Sequence, residues 1–128
     1  MLTQEEKQFL SSVATGAAGT SDCPIKQGAV LVIGGSIVCC GHNRLIIKEK
    51  EWQISAIEDV LLRGRVEGLP HDKALFSSYF PSLNDVKLIV AAGISAVYFF
   101  GQINDQEAVM LLNSLPEHTL EMIQLNKV

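Results

Sequence analysis

Few side chains in this 128-residue sequence stand at spacings that could do chemistry. Cys40 and His42 are two residues apart, which on a strand would put a thiol and an imidazole on one face, as a cysteine nucleophile with a histidine base requires. They follow the apolar run Ile37-Val38-Cys39, so a small buried thiol beside a surface imidazole explains the pair equally well. His42 and His71 fall in different loops, and neither has a second metal ligand two or four residues away. Gly34-Gly35 is not part of a Gly-x-x-x-x-Gly-Lys phosphate loop and reads as a two-residue turn. Ser82-Leu83-Asn84-Asp85 has the form of a capping box. Ser82 would accept from the N–H of Asp85, and the Asp85 carboxylate would reach back and complement the helix dipole.

The elements that must position these groups follow from periodicity and punctuation. Thr3-x-x-Glu6 is a second capping box and opens a helix carrying Phe9, Leu10 and Val13, which ends near Gly16 or Gly19. Residues 20–24 form a loop. Gly28 to Ile33 reads as a buried strand, with Ser36 to Gly41 as its hairpin partner and His42-Asn43-Arg44 closing the unit. After the polar segment 48–51 comes Trp52, and Ile54, Ile57, Val60, Leu61 and Leu62 follow helical spacing to Gly64. A loop over 68–72 leads to a strand over 74–80, a helix over 82–92, a strand over 96–100, a helix over 105–115 and a strand over 119–125. This order predicts an α/β fold, one mixed five-stranded sheet covered by helices, in a single domain over 1–128.

Two stretches carry a resemblance to the cytidine/deoxycytidylate deaminases. Cys23-Pro24-Ile25-Lys26-Gln27-Gly28-Ala29-Val30, followed by Gly41-His42-Asn43, is similar to that family's opening hairpin. Residues 74–100, from Ala74-Leu75-Phe76 through Ala92-Gly93-Ile94 to Tyr98-Phe99-Phe100, resemble the strand, Pro-Cys-x-x-Cys helix and Ala-Gly-Ile turn of its second half. The resemblance implies a three-layer α/β/α sandwich. It also implies a zinc site made of one His and two Cys, with a proton-shuttling Glu two residues after the His.

Aligned on Trp52-Gln53-Ile54-Ser55-Ala56-Ile57, the His position is Trp52, the Glu position is Ile54, and the Cys positions are Ser82 and Asp85. Indole has no metal-binding lone pair and a sec-butyl group moves no protons. Serine and aspartate are hard oxygen donors, a poor match for such a zinc site. Glu58, one helical turn past Ile54, would lie about 6 Å along the axis, and Glu51 points elsewhere. The expectation is therefore no zinc and no catalytic residue. Trp52 and Ile54 would plug the vacated space; in the competing reading Trp52 is a platform for a base, with Asn43 holding a sugar and Ser82 on the pocket rim. Asn43 is also explained as a turn residue tolerating left-handed backbone.

Composition bounds the rest. Hydrophobic residues make up 48% and charged residues 19%, enough for a filled core with some apolar surface left over for another subunit. A net charge of −4 and the absence of a Lys/Arg cluster argue against nucleic acid as a partner. Cys23, Cys39 and Cys40 read as reduced, buried thiols of a cytoplasmic protein; no signal peptide or membrane-length apolar run is visible. Three functions follow as expectations: an inactive deaminase homologue working through assembly, as a homo-oligomer or as the inactive subunit beside an active deaminase; a nucleoside- or nucleotide-binding module; and an enzyme with altered, metal-independent chemistry.

Overall fold

The computed structural model describes residues 2–47, 49, 52–64 and 72–125. Thr3 and Glu6 close the expected capping box, and α1 runs Gln4–Ala18. The hairpin follows as β1 (Gly28–Ile33) and β2 (Ser36–His42), joined by Gly34 and Gly35 at φ +58° and +83°. Both turn residues are left-handed, the twist a two-residue hairpin needs and glycine supplies without strain.

The next segment differs from expectation. Arg44–Ile47 (β3) and Trp52–Ile54 (β4) pair antiparallel as a separate two-stranded sheet, with Ile47 opposite Trp52 and Arg44 opposite Ile54. Trp52 and Ile54 therefore belong to a strand, and the helix α2 begins later, at Ala56–Gly64. The start is fixed by Ser55. Its Oγ accepts from the N–H of Glu58, and Glu58 Oε1 accepts from the N–H of Ser55, each at 3.0 Å. Most of the 48–51 and 68–72 segments, with Glu51 and His71, lies outside the described residues.

β5 (Lys73–Ser77), α3 (Leu83–Ala91), β6 (Ala96–Phe99), α4 (Gln106–Ser114) and β7 (Glu121–Gln124) complete the chain. β5 ends three residues earlier than the apolar run suggests. Ser77 Oγ donates to Tyr79 O and accepts from Tyr79 N–H, which folds the backbone out of the ladder. The sheet order is β2-β1-β5-β6-β7, antiparallel across the first two pairings and parallel across the last two. The mixed five-stranded α/β sheet is thus as expected.

Alternation along the central strands builds two layers of core. Ala29, Leu31, Leu75 and Val97 face α2 and α3 through Ile57, Val60 and Ile89. Val30, Val32 and Phe76 face α1 through Leu10 and Ala14. Phe76 stacks on Tyr98 with ring centroids 4.4 Å apart. α4 closes the far end, where Ala108 meets Phe80, Val86 and Phe99. Close approach is built in at Gly28, where a Cβ would lie 2.0 Å from Ala14 O, and at Gly41, where it would lie 2.7 Å from Val60 N. No helix among the described residues is long and apolar enough to cross a membrane.

Candidate functional site

The helices α2 and α3 start side by side, and one carboxylate joins them. Asp85, three residues into the α3 capping box, is completely buried. Its Oδ1 accepts from Ser55 Oγ at 2.5 Å. Its Oδ2 accepts from Tyr79 OH at 2.9 Å and from the N–H of Ser82 at 3.1 Å. Ser82 Oγ in turn accepts from the N–H of Asp85, which completes the expected box.

The first turn of α2 is served by the same cluster. Ile57 N–H donates to Tyr79 OH, Glu58 N–H donates to Ser55 Oγ, and Ala56 N–H reaches Gln27 Oε1. The amides that a helix start leaves without intrahelical partners are thereby satisfied. Burial, then the Asp85 charge, pushes the Tyr79 phenol well above its ordinary range, so it remains a proton donor to Asp85.

This oxygen cluster does not fit a zinc ion. Both serine hydroxyls are held in caps, the phenol is protonated, and Asp85 already accepts three hydrogen bonds. Structural and hydrolytic zinc sites are built on thiolate or imidazole donors with at most a minority of carboxylates, and the cluster holds neither thiolate nor imidazole. Among the described residues, no group of three or more His, Cys, Asp or Glu side chains is placed to hold a metal.

Of the residues singled out by sequence, Ser82 and Asp85 are brought together, and Trp52 is not their buried neighbour. Trp52 is 55% exposed on β4, which overturns the reading of it as a plug. Ile54 is half-buried on the same strand, while Ile57 is the fully buried isoleucine beside the cluster. Strand pairing to β3 holds Trp52 and Ile54 out of α2, so the helical spacing that began at Ile54 was misleading.

Asn43 is 99% buried and committed to structure. Its Oδ1 accepts from Gln27 N–H at 2.8 Å, and its amide donates to Ile25 O and Gln53 Oε1. Both amide hydrogens are used within the protein, which removes the donors a sugar would need. Its backbone is not left-handed either; among the described non-glycine residues only His118 has positive φ.

The thiols also differ from expectation. Only Cys23 is buried; Cys39 is half-buried with its sulfur 3.3 Å from Val60 O, and Cys40 is exposed because β2 is an edge strand. His42 Nδ1 lies 3.0 Å from Asn43 O, which engages one ring nitrogen.

Sequence reasoning missed three groups here. Ser55 and Tyr79 had no local signature linking them to residues 30 and 6 positions away. Asp59 is fully buried and accepts from Arg44 Nε at 2.9 Å, Arg63 Nε at 2.8 Å and the N–H of His42. Its i,i+4 spacing to Arg63 was the available signal.

The comparisons with known proteins agree with this architecture. A dCMP deaminase from the cyanophage S-TIM5 in apo form superposes with a TM-score of 0.79 at 22% identity, covering 97% of this chain and 100% of that one. The same phage enzyme in complex with dCMP and dUMP gives 0.80 at 20% identity, over 98% and 100%. The diaminohydroxyphosphoribosylaminopyrimidine deaminase/reductase of Thermotoga maritima gives 0.70 at 18% identity, over 94% of this chain and 36% of that one. No protein-family model and no curated protein matches the sequence. Sheet order, helix placement and these superpositions together establish that the chain has the cytidine-deaminase-like fold.

Proposed function

We propose that this protein is a deaminase-fold chain without deaminase chemistry that acts through assembly, with itself or as the inactive subunit beside an active deaminase. The observation that carries the reading is the Asp85 cluster. Where the resemblance calls for a metal ligand set, the chain supplies a carboxylate whose acceptor sites are taken by Ser55, Tyr79 and Ser82. No zinc and no catalytic residue belong to this reading. The metal-independent alternative lacks a solvent-facing base in the cluster, whose carboxylate, Asp85, is fully buried.

Surface composition supports assembly. β2 is an edge of the sheet, and its sequence Ser-Ile-Val-Cys-Cys-Gly-His contains none of the Lys, Glu or Pro residues that commonly blunt exposed edges. Ile37 and Val38 are 41% and 45% exposed there. An open cleft of about 370 Å³ beside them is lined by Phe9, Leu10 and Ile37 and rimmed by Glu5 and Glu6. The partner that fits this edge is a second copy of the chain, whose own β2 would pair with it. Light scattering on the purified protein should give a dimer or larger species, and Val38→Lys should return a monomer. A wild-type monomer at tens of micromolar would leave only the mixed assembly, to be tested by co-purification with a zinc-containing dCMP deaminase; failure there too would sink the proposal.

Nucleotide binding is a second reading, favoured by the dCMP and dUMP held by the phage enzyme and by the exposed Trp52 ring. It predicts a rise in Tm with millimolar dCMP or dUMP that Trp52→Ala abolishes. The commitment of the Asn43 amide weighs against it.

A further inference from the structure

We infer that Asp85 does in this chain the structural work that a metal ion does where His and Cys ligands are present, and that Ser55, Ser82 and Asp85 are the three ligand positions of that displaced ion. Three ligands of one ion must converge on one point. Ser82 and Asp85 converge with Ser55, across 30 residues of sequence, while Trp52 is exposed on β4. The resemblance to the deaminase motif therefore holds three residues later than the sequence alone suggested: Ser55 stands at the His position and the buried Ile57 at the Glu position.

The replacement is chemically coherent. A metal bound at two helix starts would fasten α2 to α3. Asp85 makes the same connection with three hydrogen bonds: to Ser55 at the α2 cap, to the Ser82 N–H at the α3 cap, and to Tyr79 in the segment between β5 and α3. An isolated buried carboxylate is costly. Both ion pairs among the described residues go to Asp59, so the Asp85 charge is compensated by these donors and by two helix N-termini converging on it. A carboxylate suits all three donors at once, accepting from Ser55 Oγ on one oxygen and from Tyr79 OH and the Ser82 N–H on the other. An amide would either set its NH₂ against the Ser82 N–H, which can only donate, or turn it to Ser55 Oγ, whose hydroxyl hydrogen would then lose its acceptor.

Tests on the chain alone separate this inference from the assembly reading. Asp85→Asn should lower Tm by roughly 5–15 °C. Ser55→Ala should lower it less, and the Ser55→Ala/Asp85→Asn double variant should lose clearly less than the two losses summed. Wild-type protein should carry background zinc and show a Tm indifferent to EDTA.

The variant S55H/S82C/D85C should then bind cobalt(II) at one ion per chain, with the visible absorption of a tetrahedral thiolate site and a Tm that EDTA lowers. An Asp85→Asn variant as stable as wild type, additive losses, or stoichiometric zinc in the wild type would each overturn the crosslink. A folded triple variant that binds no cobalt would overturn the assignment of the three positions; if that variant fails to fold, the Asp85 and Ser55 series decides.

Discussion

Asp59 carries one negative charge into a fully buried position and keeps it there with three donors. Burial pushes its carboxyl up, but the hydrogen bond from Arg44, the N–H of His42 and the charge of Arg63 more than offset that, and the net displacement is downward. A carboxylate held below its unfolded value of about 3.9 contributes stability that is complete above that value and disappears as pH falls through the folded value. Asp59→Asn should therefore cost about 2 kcal/mol near neutral pH and flatten the acid limb of the stability profile below about pH 4. Urea titrations at pH 7, 5 and 3 read both effects. Much of this was out of reach of sequence reading: Arg63 was one turn away and visible, but Arg44 and the His42 amide come from strands paired elsewhere. Trp52 shows the converse error, since its alignment with the family's His position suggested a buried plug that β3–β4 pairing denies it.

At the scale of elements, the devices that were legible are local ones. Thr3-x-x-Glu6, Ser82-x-x-Asp85 and Gly34-Gly35 each complete their interactions within four residues, so composition sufficed to place the start of α1, the start of α3 and the β1–β2 turn. The β3–β4 pair was invisible because its strands are short and their partners, each other and side chains such as Asp22, Asn43 and Asp59, have no local signature. The start of α2 was mistaken for a different reason: Ser55-x-x-Glu58 is a local capping box, overlooked beside the stronger apolar rhythm that began at Ile54.

Close packing between elements yields a sharper expectation. Gly28→Ala would place a methyl group 2.0 Å from Ala14 O, against helix backbone that cannot swing aside. The loss should be about 3 kcal/mol or more, measured by chemical denaturation. Removing a cap is milder: Ser82→Ala takes away the hydroxyl that accepts from the Asp85 N–H and should cost about 1 kcal/mol.

At the scale of the whole molecule, the class and the single mixed five-stranded sheet were readable because the succession of strands and helices admits few arrangements, but the order of strands within that sheet was not. The edge character of β2 was not, since an apolar strand reads alike at the centre of a sheet and at its margin. That difference matters for the proposed assembly, in which a second copy would add at a strand whose outer backbone donors and acceptors have no neighbour in the sheet.

The same sheet order has a consequence for synthesis on the ribosome. β1 pairs on one side with its immediate neighbour β2, but on the other with β5, which emerges roughly 40 residues after Ile33. At about 5–20 residues per second, the roughly 35 residues from His42 to Ser77 leave a nascent chain holding the finished α1–β1–β2 unit for about 2–7 s with an apolar strand open on its inner flank. During that interval the open flank of one nascent chain can capture β5 of another, so crowded translation would favour intertwined dimers built from the same contacts as the monomer.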